Sequence, residues 1–101
     1  MSLKQAIAPL FLGLLVSTTP MLASANVAQQ YEDSCAACHA TGALNAPKTG
    51  DSATWKKLTA QKGMPALVNA VKDGMSQMPA GGLCSTCSDA DYQALIEYMS
   101  N

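Results

Sequence analysis

The sequence predicts an all-α domain of about four short helices. Three observations lead there. Tyr92, Leu95, Ile96 and Met99 fall at i, i+3, i+4 and i+7, the spacing of one helix face. No segment alternates apolar and polar residues for long enough to make a strand. Glycines, prolines and capping residues interrupt the chain at short intervals, so each helix must be short.

The first segment, residues 1–25, reads as a secretory leader rather than as part of the domain. Lys4 is its lone positive charge, residues 6–16 (AIAPLFLGLLV) are apolar, and Ala23-Ser24-Ala25 is a small-residue cleavage site. The apolar run contains Pro9 and Gly13 and is too short to span a bilayer. Cleavage after Ala25 is expected, leaving one domain over residues 26–101. Such a chain of 76 residues buries only roughly 60–65% of the surface it exposes when unfolded, and it needs a staple. It carries five lysines, no arginine and seven acids, a net charge of −2. Without arginine or a basic stripe, nucleic-acid binding is not expected.

Val27, Tyr31 and Cys35 lie at i, i+4 and i+8, which predicts a first helix over 26–38. It ends on Cys35-Ala36-Ala37-Cys38-His39, a C-x-x-C-H pentapeptide and the attachment signature of a c-type haem. Each residue type has its own task. Two thiols one helical turn apart can add to the two vinyl groups along one porphyrin edge. The histidine that follows can bind the iron as its proximal ligand. Haem is therefore the expected staple, joined through Cys35 and Cys38, and export suits it because c-type attachment takes place outside the bacterial cytoplasm.

Residues 41–50 (TGALNAPKTG) read as a loop. Asp51 is a good N-cap for a second helix carrying Trp55 and Leu58, which Gly63 stops. Pro65 suits the first turn of a third helix, with Leu67, Ala70 and Val71 inward and Gly74 ending it. Residues 75–87 (MSQMPAGGLCSTC) cannot be regular, given Pro79, Gly81 and Gly82. Ser88 with Asp91 three residues on is a capping-box variant, opening the last helix.

The second axial ligand must be a methionine, another histidine, or nothing. His39 is the only histidine, so bis-histidine ligation is ruled out. Met99 lies on the apolar stripe of the last helix and Met64 precedes Pro65, and both read as packing residues. Met75 and Met78 share the irregular loop. Met78 is the better candidate, because Pro79 stiffens the backbone beside it and Gly81-Gly82 let the chain turn close to a macrocycle.

With these residues placed, the chain resembles the class I monohaem cytochromes c, and most of all the bacterial cytochrome c5 subgroup. The resemblance rests on Ala46-Pro47-Lys48, Gly50-Asp51, Trp55, Met78-Pro79, Cys84-Ser85-Thr86-Cys87 and Ile96-Glu97-Tyr98-Met99. It implies a small fold around one haem, with the Pro47 carbonyl orienting the His39 ring. It also implies a disulfide between Cys84 and Cys87. From the residues alone this second C-x-x-C has three readings. Export and the even cysteine count favour a disulfide. A zinc site shared with Cys35 and Cys38 would have to bridge 45 intervening residues, against roughly 15–20 in compact zinc modules. A thioredoxin-like redox pair would need a βαβ pattern that the chain lacks.

The expected function is periplasmic electron transfer without catalysis, since the lone histidine is assigned to iron and no nucleophile has a base partner. Redox partner proteins of a respiratory chain, including membrane complexes at which this soluble protein docks, and a monomer or weak dimer are expected. Lys48, Lys56, Lys57 and Lys62 form either a modest positive docking rim or a set of scattered solvated charges. The rival functions are a haem enzyme or gas sensor with an open iron position, and a haem-free disulfide or zinc module.

Overall fold

The computed structural model describes residues 21–101, with side chains from residue 26. Residues 1–20 of the expected leader lie outside the described residues, as do the side chains of its cleavage site. The elements are α1 (Met21–Ser34), α2 (Ala36–His39), a 3-10 turn at Ala43–Asn45, α3 (Ser52–Lys62), α4 (Met64–Asp73) and α5 (Asp89–Met99). Among the described residues the only β pairing is an isolated bridge between Met75 and Met78. No described helix is long and apolar enough to cross a membrane.

The helix starts and stops follow local chemistry. Asp51 caps α3, its carboxylate accepting the Thr54 backbone N–H and, at 2.7 Å, the Thr54 hydroxyl. Gly63 (φ +83°) and Gly74 (φ +85°) end α3 and α4 in a region that disfavours any side chain. Ser88 and Asp91 form a complete capping box at α5: the Ser88 Oγ accepts the Asp91 N–H, and the Asp91 carboxylate accepts the Ser88 N–H.

The expected first helix over 26–38 is instead broken at Cys35, so among the described residues five α-helices stand where about four were expected. Cys35 takes φ −125°, far from a helical value, and becomes the cap of α2. The loop over 41–50 holds one turn of 3-10 helix, in which Leu44 and Asn45 both have positive φ. On α4, Leu67 is buried as expected, Ala70 and Val71 are half-buried, and the fully buried neighbour is Val68.

α5 is the centre of the core. Leu95, Ile96 and Met99 are at most 2% exposed, and the helix packs against both α1 and α4. Tyr31 of α1, Trp55 of α3, Leu67 and Val68 of α4, and Tyr92 of α5 complete the cluster. Met99 is thus a core residue, and Met64 packs partly buried against the same cluster. The four lysines 48, 56, 57 and 62 are all exposed.

Candidate functional site

Cys35, Cys38, His39, Met75 and Met78 all line one cleft of about 270 Å³ with a chiefly apolar lining. It is built from two stretches of chain. One runs from the end of α1 through α2 and the 3-10 turn to Pro47; the other is the irregular segment between α4 and α5.

The first stretch positions the C-x-x-C-H motif. The Cys38 and His39 amides both donate to the Cys35 carbonyl, at 3.3 and 2.9 Å, which winds α2 tightly after the break. Cys35 and Cys38 are half-buried and neither is in a disulfide. Burial pushes the Cys35 thiol up to about 11, so it remains a neutral thiol at pH 7 until bonded.

His39 is buried at 7% exposure. Its Nδ1 lies 2.7 Å from the Pro47 carbonyl oxygen. A carbonyl can only accept, so Nδ1 carries the proton and donates it. That leaves Nε2 with its lone pair available, the state in which imidazole binds a metal. The ring is held further by its surroundings. The Thr49 amide donates to the His39 carbonyl at 2.8 Å, and the Trp55 ring lies 5.8 Å away. Trp55 in turn donates its Nε1–H to the Lys48 carbonyl at 2.9 Å, tying the Pro47 segment to α3.

The second stretch brings the methionines. Met78 is half-buried, whereas Met75 is 58% exposed at the cleft edge. Met75 and Met78 exchange backbone hydrogen bonds of 2.9 and 3.1 Å, closing a tight turn. The turn lies directly on Gly74, where a Cβ would stand 2.9 Å from the Ala80 nitrogen and 3.0 Å from the Met78 oxygen. A Cβ on Gly82 would meet the Ser34 carbonyl at 3.3 Å and the Met78 methyl at 3.8 Å. The glycines therefore allow the loop to close on α1 and α4. The Cys84 and Cys87 sulfurs meet in a disulfide with Cα atoms 5.5 Å apart. Among the described residues no three His, Cys, Asp or Glu side chains converge to hold a metal ion, so the zinc reading finds no geometry.

This donor set fits a covalent haem. Two accessible thiols one turn apart, an imidazole with its ligating nitrogen free, a thioether from a second segment and apolar walls share one cleft. Sequence inspection missed the exposed apolar Leu44 and Leu83 at its edge, and the Tyr92 hydroxyl behind it. No short-range pattern distinguishes any of the three.

Known proteins resemble this chain in sequence and in fold. A family model described as cytochrome C oxidase, cbb3-type, subunit III matches residues 23–99. Cytochrome c5 of Azotobacter vinelandii is 48% identical over 67 residues, covering 65% of this chain and 81% of that protein. The structure of a mono-haem ferrocytochrome c from Shewanella putrefaciens matches with a TM-score of 0.66 at 40% identity, covering 73% of this chain and 90% of the other. A cytochrome c solved in an electron-transfer complex with nitrite reductase matches with a TM-score of 0.63 at 37% identity, covering 72% and 88%. The chain belongs to the monohaem class I cytochromes c of the cytochrome c5 type, haem-based electron-transfer proteins with one covalently attached c-type haem.

Proposed function

We propose that this protein is a periplasmic electron carrier whose haem iron is ligated by His39 and Met78, and that it is not an enzyme. The observation that carries this reading is the pairing, in one cleft, of an imidazole held in its ligating tautomer with a half-buried methionine from a separate segment. When bound, the haem supplies a one-electron ferric/ferrous couple. The chain's residues do the rest. The Cys35 and Cys38 thiols form the thioethers. The Pro47 carbonyl keeps the Nδ1 proton in place and makes the imidazole a better donor. The soft thioether of Met78 and the apolar walls both favour the ferrous form, so the reduction potential is relatively high. A second protein ligand closes the iron to substrates, which argues against the enzyme and sensor alternatives.

The Cys84–Cys87 disulfide shapes the segment that follows Met78. Its ring is too small to stabilise mainly through unfolded-state entropy. Export with cleavage after Ala25 is supported by the leader pattern, and the mass of the mature protein, beginning at Asn26, checks it. Redox proteins are the partners. The nitrite reductase complex of a structural relative supports that class, and a respiratory-chain partner for a monomer or weak dimer is our reading within it.

Met78→Ala tests the ligation. The iron–sulfur charge-transfer band at the red end of the ferric spectrum should vanish. The reduction potential should fall by on the order of 0.1 V, well inside the span of about 0.8 V over which axial ligands act. Met75→Ala should leave both unchanged. The reverse outcome would move the ligand to Met75, and a band surviving both changes would remove methionine ligation from either position.

A further inference from the structure

We propose that Tyr92 is a positioning residue for the sixth iron ligand: its hydroxyl holds the segment after Pro79 closed, and so keeps Met78 at the iron. This rests on the assignment of Met78 as ligand, made above.

Tyr92 lies on α5 and is 6% exposed. A phenol hydroxyl buried to that degree requires a hydrogen-bond partner. It finds one outside the core, donating at 2.7 Å to the backbone carbonyl of Cys84. The Tyr92 hydroxyl oxygen lies where a side chain on Gly81 would begin, 2.8 Å from a Cβ built there, and Gly81 has φ +77°. The loop and the tyrosine are thus fitted to one another at atomic distance, and Gly81 is the residue type that the fit demands.

From Cys84 a series of tight turns leads back to Met78. The Cys84 N–H donates to Gly81 O at 2.9 Å, the Gly82 N–H to Pro79 O at 2.8 Å, and the Met78 N–H to Met75 O at 3.1 Å. These bonds are all internal to the loop, so they set its shape but not its place. Besides the packing of Cys84 and Cys87 against the core, its place depends on a few polar ties to the helices: Gly81 N–H to Val71 O, Leu83 N–H to Ser34 O, a long Gln30 contact to Cys87 Sγ, and the Tyr92 hydroxyl. Tyr92 also borders the same small crevice as Met78 and Gly82. With so few anchors, losing one should shift the balance between the closed loop and an open one that has released the iron.

An external ligand measures that balance directly. It binds the ferric iron only when Met78 has left, so its apparent affinity scales with the open fraction. Losing one hydrogen bond of ordinary strength should raise that fraction about fivefold. The experiment is imidazole titration of the ferric holoprotein for wild type, Tyr92→Phe, Tyr31→Phe and Met78→Ala. Tyr31→Phe is the control. It is a buried core tyrosine whose hydroxyl also donates one bond, to Thr49 Oγ1 at 2.8 Å, away from the methionine loop. The expected result is about fivefold tighter imidazole binding for Tyr92→Phe with no change for Tyr31→Phe, the iron–sulfur band still being present before titration. Wild-type affinity in Tyr92→Phe, or equal tightening in both variants, would overturn the positioning role. If Met78→Ala keeps the band and wild-type affinity, the ligand assignment fails instead, a distinct outcome that removes the proposal with it. Should Tyr92→Phe not mature, Gly81→Ala displaces the hydroxyl from the other side. It too should tighten imidazole binding, and an unchanged affinity there would overturn the proposal.

Discussion

The two sides of the cleft proposed to hold the haem are built on different principles. The histidine side is local. Cys35, Cys38 and His39 fall within five residues, the Pro47 carbonyl that orients the ring is eight residues on, and the Thr49 amide binds back to the His39 carbonyl. The methionine side has no helix or strand of its own. It is a loop set in place by glycines and by bonds to residues distant in sequence, such as Leu83 N–H to Ser34 O and Tyr92 Oη to Cys84 O. The histidine side is therefore formed by short loop closures, while the methionine side waits for α1, α4 and α5 to assemble. Its opening should cost less than unfolding the domain, and local exchange at the iron should begin there.

The strongest way to break this comparison is to remove the covalent anchor of the histidine side. Cys35→Ala with Cys38→Ala should abolish covalent haem, and each single change should lower it, as read by haem staining after denaturing electrophoresis. Haem retained on the double variant would show that the histidine side does not hold the cofactor as described.

Gly74→Ala probes the methionine side at its foot. The new methyl would stand 2.9 Å from the Ala80 nitrogen at a residue with φ +85°. A destabilisation of about 1–3 kcal/mol is expected, or a fall in Tm of about 4–8 °C for each kcal/mol in a domain of this size. The iron–sulfur band should weaken in the folded protein. Calorimetry and the ferric spectrum, followed together, check both; an unchanged spectrum would mean that the loop tolerates displacement at its foot without moving Met78.

Cys84→Ser with Cys87→Ser sharpens the contrast between shaping and stabilising. A ring of this size stabilises by about 2 kcal/mol or less. The larger change should appear locally, as faster amide exchange over residues 81–87, with α2 and the Pro47 segment unaffected. Equal loosening of both sides would dissolve the distinction.

The smallest expected effect lies on the helix that flanks the histidine side. Hydrogen bonds from the Thr54 side chain and backbone hold the Asp51 carboxyl below its ordinary 3.8. Its contribution is thus present above pH 3.8 and lost as pH falls through the lowered value of the folded state. Asp51→Ala should flatten the acid limb of the Tm–pH curve slightly and leave the neutral spectrum untouched. An unchanged acid limb would show that the cap is not coupled to folding.

How much could be read in advance follows the same division. The C-x-x-C-H motif, the caps at Asp51 and Ser88, the stops at Gly63 and Gly74 and the buried stripe of α5 depend on residues a few positions apart, and each is where its local chemistry puts it. The break at Cys35, the positive φ of Leu44 and Asn45, and the burial of Val68 were not legible. A helix period passes through Cys35 without interruption, and Leu is a poor residue for left-handed backbone, so local preference pointed the wrong way at both places.

By itself, then, the sequence determined the all-α class, the bounds of most helices and the C-x-x-C-H motif that winds into α2, because short-range hydrogen bonding and helix periodicity govern them. Tertiary structure decided how deeply the two methionines of the cleft are buried, Met78 half-buried and Met75 58% exposed, and it alone gave the Tyr92 hydroxyl its partner. Pro79 and the glycines after it favour Met78 over Met75 in the sequence, but they do not set how far either side chain is buried. What separates them is the approach of Gly74, Gly81 and Gly82 to α1, α4 and α5, and such contacts exist only once distant segments have packed.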